Sequence, residues 1–533
     1  MASLNLNSVI LAAWSWSREA CSSHNEIVSI TLTSLFVVIT LIMWYAWMMK
    51  NSKKTMKYPL PPGPRGLPLV GNLPFIDRDV YRYFAKMTDI YGPIFKLKIG
   101  SKLYVVIGST SLAKEVLKDF DTTFANRDTP SAIVTLSYGG SGLIWTSYGS
   151  HWRTLRMICV QHILNKTSLD ALYILRRRQL RRTVKFLYSK IGSPIDVADQ
   201  MFFTSLNTII SMLWGGTVKD DEMSSAGKEF QQAIVEAIAL MGETNISDFF
   251  PLLARFDIQG IAHRAQTLFM WFDRILDSII NERIKLNQAG GKNEKSDFLD
   301  ILLELKDSGD TKIQITIANI KALFLDLVVA GTDTTATTVE WAMAEIMNHP
   351  EIMKKLQEEL VTVVGENGMV EESHIPQLTY LEAVIKETFR FHSVVPFLVP
   401  RRPSESCIVG GYTIPKGTQI LVNARALQID PEMWENPLEF QPDRFLKSTT
   451  KWDYSGNNFN FLPFGSGRRM CAGSSLVERT VPYALASLLH SFNWRLPEGV
   501  ALDFSDKMTL TLKKMIPLIA IPTPRLSNPE LYL

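Results

Sequence analysis

Four cysteines occur in the 533 residues, at positions 21, 159, 407 and 471, and no pair has metal-finger spacing. Any chemistry at sulfur therefore rests on a single residue. Cys471 has the most suggestive surroundings, in Phe464-Gly465-Ser466-Gly467-Arg468-Arg469-Met470-Cys471-Ala472-Gly473, beside two cations and just before an apolar helical pattern. Positive neighbours and a helix N-terminus both lower a thiol's pKa, which suits a metal ligand or a nucleophile. The glycines allow tight turns and let a flat ligand approach the backbone. A buried structural cysteine is the alternative, and local physics alone leaves the two open.

Other segments carry reactive types at helical spacing. Ala330-Gly331-Thr332-Asp333-Thr334-Thr335 is a poor helix sequence, in which the glycine alone costs about 1 kcal/mol relative to alanine. Its threonines can bond back to carbonyls four residues earlier, and the missing side chain can open a groove. A second reading is a solvated stripe, because Asp326, Asp333 and Glu340 recur every seven residues. Glu387 and Arg390, taken alone, make an ordinary helical ion pair worth about 0.2 to 0.5 kcal/mol. Trp152 and Arg156 share one helical face, with core packing the default for a lone tryptophan.

Taken together, these motifs resemble the cytochrome P-450 superfamily. Phe464, Gly467, Arg469, Cys471 and Gly473 match its haem-binding signature, five fixed positions in ten residues. The resemblance implies that Cys471 is the axial ligand of a haem b iron (iron protoporphyrin IX), with Phe464 and Gly473 beside the cofactor. It implies that Trp152, Arg156, Arg469 and Arg401 bind the propionates. Asp333 and Thr334 occupy the positions of an acid and alcohol that deliver protons to dioxygen. Glu387, Arg390 and the Arg444 of Pro442-Asp443-Arg444-Phe445 correspond to a buried network that braces the cysteine loop without taking part in the chemistry.

The resemblance spans essentially the whole chain and is similar to plant microsomal enzymes. Residues 212–216, 254–260 and 522–525 resemble the plant cadinene hydroxylase group, so oxidation of a sesquiterpenoid is the first expectation and a flavonoid or phenylpropanoid the second. A haem-thiolate isomerase or dehydratase ranks third, since it has no use for Asp333 and Thr334. The family's substrate segments place Ile133, Val134, Leu327, Ala330, Val395, Phe397 and Leu398 around an apolar substrate, a set that plain core packing would also produce. One departure is His392-Ser393, where relatives have His-Pro, and it is expected to loosen that turn. With no Gly-x-Gly-x-x-Gly fingerprint, electrons are expected from NADPH through a membrane-bound NADPH–cytochrome P-450 reductase, steered by basic residues such as Arg468.

These residues need a scaffold and an address. From Ile27 to Met49 there are 23 consecutive uncharged residues, about 34 Å as a helix and enough to cross a bilayer core of about 30 Å. Aromatics at 44, 45 and 47 and lysines at 50, 53, 54 and 57 follow. The positive-inside rule then puts the C-terminal part in the cytosol. The expected layout is a lumenal segment 1–26, a transmembrane anchor 27–49, a basic, proline-rich hinge 50–70 and a catalytic domain 71–533, single-pass in the endoplasmic reticulum membrane. Asn165 and Asn245 head glycosylation acceptor sequences that would lie on the cytosolic side.

Hydrophobic residues make up 46% and charged residues 20%, which provides for a large core, and a net charge of +3 gives no reason to expect nucleic acid. Periodicity predicts helices near 111–119, 170–190, 226–242, 265–287, 313–348, 351–364 and 379–391. It also predicts a hairpin from Phe95 to Ile107 and an exposed loop at 288–296. The expected class is mainly α with small β-sheets (α+β), in the cytochrome P-450 fold with an N-terminal transmembrane helix.

Overall fold

The longest element forms from a sequence with weak helix propensity. In the computed structural model, which describes residues 31–40, 42–43, 58–77, 79–215, 225–289, 297–309 and 314–533, Ile317–Asn348 is one helix of 32 residues. We call it α3; α1 is Ser150–Cys159, α2 Val197–Trp214, α4 Thr379–Phe391 and α5 Ser474–Ser491. A capping box starts α3: Asn319 N donates to Thr316 Oγ1 at 3.2 Å, and Thr316 N to Asn319 Oδ1 at 3.0 Å. What holds it is burial on nearly every side, against α2, α4 and α5. Tertiary packing overrides propensity here, as it does for most helices in water.

The acid stripe along α3 is not solvated. Asp326, Asp333 and Glu340 are all buried, and each meets a different segment. Asp326 Oδ2 accepts from Leu143 N (2.6 Å) and Ile144 N (2.9 Å). Asp333 Oδ2 accepts from Thr511 Oγ1 (2.7 Å), while its Oδ1 pairs with Lys513. Glu340 Oε1 accepts from Leu518 N (2.9 Å). A seven-residue repeat advances a helix by nearly two turns, so one edge of α3 holds three separate stretches of backbone and side chain.

The sheets are small. Strands β1 (Ile94–Ile99) and β2 (Lys102–Ile107) form the expected hairpin, pairing Ile94 with Ile107, and β3 (Gln419–Val422) adds in parallel to β2. A second hairpin, β4 (Asp506–Met508) and β5 (Leu512–Lys514), brings Thr511 and Lys513 onto α3. The helices expected at 170–190, 226–242, 265–287, 313–348, 351–364 and 379–391 all form, within four residues of those ends. The 111–119 stretch starts as an α-helix and finishes as one π turn. The result is mainly helical with small sheets.

The described part of the proline connector is pinned: Thr413 N donates to Pro59 O (2.9 Å) and Lys96 N to Pro62 O (2.7 Å). Of the apolar run 27–49, residues 31–40 and 42–43 are helical. The rest of that run lies outside the described residues, as do 1–26, 50–57 and 290–296. Among the described residues no helix is long and apolar enough to cross a membrane. Asn165 and Asn245 are both committed to the fold, accepting from Ser168 N (2.8 Å) and Ser247 N (2.9 Å) as helix caps.

Candidate active site

The cysteine loop is held by its own backbone. Cys471 N donates to Phe464 O at 3.0 Å. Gly467 has φ +70°, and a Cβ there would stand 2.2 Å from Leu117 O, so only glycine fits. Burial pushes the Cys471 thiol up; the Gly473 N–H, Arg156 and the Ser474 N–H at the start of α5 oppose it. The two expected cations face elsewhere. Arg468 pairs with Asp121 (3.2 Å), and Arg469 donates to carbonyls. The thiolate expectation is corrected to this extent: burial outweighs the local donors, and a bound metal would supply the charge that deprotonates the sulfur. Although deep among protein atoms, Cys471 is not covered by them, so it faces an internal hollow.

The other uncovered surface is on α3. Between Asn319 and Ile346 every residue is buried except Leu327, Ala330, Gly331 and Thr334, which at i, i+3, i+4 and i+7 form one helical face. These two surfaces are those that the resemblance assigns to the two sides of a haem. Thr334 Oγ1 donates back to Ala330 O (2.6 Å), as Thr332 and Thr335 do to Val328 O (2.8 Å) and Gly331 O (2.9 Å). Gly331 also serves packing, since a Cβ there would stand 2.9 Å from Ile209 Cδ1 of α2. Asp333, one residue from Thr334, is turned about 100° away and spends both oxygens on Thr511 and Lys513. The expected acid and alcohol are adjacent in sequence but are not joined in this conformation.

The cations at the loop outnumber the anions. Arg401 Nη1 and Arg127 Nε are buried with no hydrogen-bond partner, and the carboxylate nearest Arg401 Nη1, Asp121 Oδ1, is 3.6 Å away. Burial lowers the Arg401 pKa to about 10 against the pull of Asp121. Burial, then Arg401 and Arg156, lower Arg469 to about 9. Arg127 is driven well down by burial, Arg401 and Arg469. Arg127, Arg156, Arg401 and Arg469 thus crowd together, and the one acid that reaches any of them among the described residues, Asp121, is shared with Arg468, so the cluster carries uncompensated positive charge. A dicarboxylate such as haem fits it. Arg127 was not legible in the sequence. Trp152 Nε1 donates to Leu143 O at 3.0 Å, and its ring lies 4.5 Å from the Arg469 guanidinium, so it also orients one of the cations. Arg156 Nη1 donates to Met470 O (2.9 Å), and its guanidinium stands 5.5 Å from the Trp152 ring.

Glu387 and Arg390 are fully buried, so the surface-pair alternative falls. Arg390 is bidentate to Glu387 (2.7 and 2.8 Å), Arg444 Nε reaches Glu387 Oε1 at 3.1 Å, and Arg390 also donates to Gln428 O, Pro437 O and Glu439 O. The link to the cysteine loop is indirect. Gln428 Nε2 donates to Phe389 O (2.9 Å) and Ser393 Oγ (2.5 Å), and its Oε1 accepts from Leu462 N (2.9 Å). Phe389 meets Phe464 at 5.3 Å. Ser393 therefore does not loosen its turn: it joins this network, while His392 hydrogen-bonds Glu345 (2.6 Å) and stacks on Trp341 (4.0 Å). Gln428 had no signal in the sequence, because its partners lie 34 to 39 positions away.

Of the expected substrate residues, Leu327 and Ala330 are on the open α3 face. Leu398 takes φ +51° and lies 3.5 Å from where a Cβ on Gly465 would stand, which brings it to the cysteine loop. Val395 is half-buried and Val134 exposed, whereas Ile133 is buried. Phe397 is a correction: it is packed against Phe84 at 5.1 Å in a cluster with Phe95 and Leu97, so its ring serves the core.

Guanidiniums short of a dicarboxylate, set beside a cysteine that faces a hollow, define a haem-thiolate protein. Residues 61–519 match the family model described as Cytochrome P-450. The chain is 40% identical to geraniol 8-hydroxylase of Catharanthus roseus over 503 residues, covering 93% of this chain and 99% of that one. It is 37% identical to flavonoid 3'-monooxygenase of Crocosmia x crocosmiiflora (93% and 99%) and to flavonoid 3',5'-hydroxylase of Campanula medium (89% and 93%). A solved zebra fish cytochrome P-450 with progesterone superposes with TM-score 0.73 at 25% identity, covering 84% of this chain and 99% of that one. The chain belongs to the cytochrome P-450 family. It is a plant-type haem-dependent monooxygenase, and the family's usual electron source is NADPH through a reductase.

Proposed function

We propose that this monooxygenase hydroxylates a flat phenolic substrate of the flavonoid or phenylpropanoid class. The observation that carries the reading is the pair of flavonoid hydroxylases, related over about nine-tenths of the chain. They favour this substrate class over a sesquiterpenoid. The uncharged α3 face of Leu327, Ala330 and Gly331 suits an apolar body. A second reading, a small terpene alcohol, is favoured by the 40% identity to geraniol 8-hydroxylase.

The motif match and the cation cluster support these roles. Cys471 would ligate the haem iron, with Phe464 and Gly473 beside the cofactor. Arg127, Arg156, Arg401 and Arg469 would hold the propionates. Glu387, Arg390 and Arg444 keep α4 and the following loops in place, with Gln428 as the connection to the cysteine loop. When bound, the haem supplies activation of dioxygen and insertion of one oxygen atom into a C–H bond. This chain's own part is to exclude water, present the substrate and deliver protons. Thr334 offers its hydroxyl on the open face, and Asp333 is the acid, restrained by Thr511 and by Lys513, whose partly exposed side chain reaches towards solvent.

Residues 1–26, 27–49, 50–70 and 71–533 are proposed as lumenal segment, anchor, hinge and catalytic domain in the endoplasmic reticulum membrane, served by a membrane-bound reductase. Supporting this, Leu252, Phe256 and Ile258 are 89, 58 and 61% exposed beside the β1–β2 turn, where Ser101 N donates to Phe249 O at 2.9 Å. Such a patch suits a lipid surface. The substrate test uses microsomes holding the full chain and reductase, titrated in turn with a 4'-hydroxyflavanone, geraniol and a bicyclic sesquiterpene. The flavanone should shift the Soret band towards high spin and be hydroxylated when NADPH is added. A shift and product with geraniol or the sesquiterpene alone would overturn the assignment.

A further inference from the structure

Asp326 is a buried carboxylate that the chemistry above does not use. It lies on α3 seven residues before Asp333, and its Oδ2 accepts the adjacent N–H groups of Leu143 (2.6 Å) and Ile144 (2.9 Å). Residue 142 permits this approach only because it is glycine: a Cβ there would stand 2.2 Å from Asp326 Oδ2. Asn319, seven residues earlier on the same face, donates to Ser141 O at 3.0 Å. Helix α3 thus grips residues 141–144 at two points, in one case with a desolvated charge, the stronger kind of acceptor.

The carbonyls of the gripped segment do the remaining work. Leu143 O accepts from Trp152 Nε1 (3.0 Å) and Arg469 Nη1 (3.3 Å), Ile144 O from Arg469 Nη1 (3.4 Å), and Thr146 O from Arg469 Nη2. Among the described residues no carboxylate pairs with Arg469; its direction is set by these carbonyls, by Ala125 O (2.6 Å) and by the Trp152 ring. Ile144 N and Leu143 O belong to one peptide unit, so the carboxylate on that N–H also polarises the carbonyl that accepts from Trp152 and Arg469. We propose that Asp326 is a positioning residue for the haem-propionate cations, acting through Gly142–Ile144 on Arg469 and Trp152. The inference rests on the haem-thiolate reading of the site. It links the helix on the substrate side of the cofactor to the cations at its edge.

The test is the rate of haem transfer from the purified, haem-replete full-length enzyme to excess apomyoglobin, together with a mutant cycle. Wild type that holds no haem would refute the underlying site and leave nothing for Asp326 to position, so the two failures are distinguishable. Asp326→Ala should speed haem loss about tenfold, as expected when two buried donors lose their acceptor. Gly142→Ala should do the same, and the double variant should be no faster than either single one. In an Arg469→Gln background, Asp326→Ala should add nothing, whereas a merely structural role would add its full effect. Glu340→Gln, an equally buried acid on the same edge of α3 with no contact to residues 141–144, should leave the rate unchanged. If Asp326→Ala yields no folded protein, Asp326→Asn, which keeps one acceptor oxygen, is read in the same cycle with an expected effect of about threefold. A rate within about twofold of wild type for Asp326→Ala, or full additivity with Arg469→Gln, would overturn the proposal.

Discussion

Asp333 is held by Thr511 and Lys513 and points about 100° away from Thr334 around the helix, so proton delivery needs the acid to let go of at least one of them. Asp333→Asn should therefore lower product formation by about 100-fold, the scale of one lost general acid, while haem content and the reduced carbon monoxide spectrum stay at wild-type levels. Lys513→Met removes the restraint and keeps the acid, so it should retain far more activity than Asp333→Asn and change the pH dependence of turnover. Equal losses in the two variants would contradict a merely restraining role for the lysine. Cys471, Glu387 and Arg390 were legible through the family motifs they belong to, since local physics alone left each with two readings. Arg127 and Gln428 were not, because a guanidinium without an anion and an amide joining three loops acquire meaning only from groups far away in sequence.

At the scale of elements, α4 and the cysteine loop are joined through Glu387, Arg390 and Gln428. Arg390→Ala leaves Glu387 buried with Arg444 as its remaining cation and should cost about 3 kcal/mol, enough to cut the yield of folded, haem-containing protein sharply. Gln428→Ala frees Leu462 N and the Phe389 carbonyl instead and should cost about 1 to 3 kcal/mol, read as a lower apparent Tm with the thiolate-type spectrum retained. The helices at 173–189, 225–242, 261–288, 350–364 and 379–391 were legible from periodicity, since one face is apolar and the other wet. Helix α2 was not: beyond Asp199, Gln200 and Asn207, Val197–Trp214 is apolar or small and hydroxylated, because it lies between α3 and the neighbouring helices, so little stripe exists to detect. The acid repeat on α3 misled for a related reason. Its spacing was read correctly, but donors supplied by distant segments made it a buried seam instead of a wet face.

For the whole molecule, buried acids set the response to pH. Burial pushes Glu340 from an ordinary 4.5 up to about 7. A carboxyl raised in the folded state binds its proton more tightly folded than unfolded, so its contribution to stability falls as pH rises from 4.5 to about 7 and is level above. Glu340→Gln removes the buried charge and keeps an acceptor for Leu518 N. It should raise the apparent Tm at pH 8, by a free energy on the order of 1 to 3 kcal/mol, and match wild type near pH 5. A variant less stable than wild type at both values would contradict this.

The central claim is that Cys471 ligates the haem in a domain whose cations, helix α3 and loop network are arranged around that bond. Its most direct test is the carbon monoxide difference spectrum of the dithionite-reduced full-length protein, wild type beside Cys471→Ser. The account predicts the Soret band diagnostic of thiolate-ligated haem in wild type and its loss in the variant. A folded, haem-containing wild type without that band, or a variant that keeps it, would contradict the account.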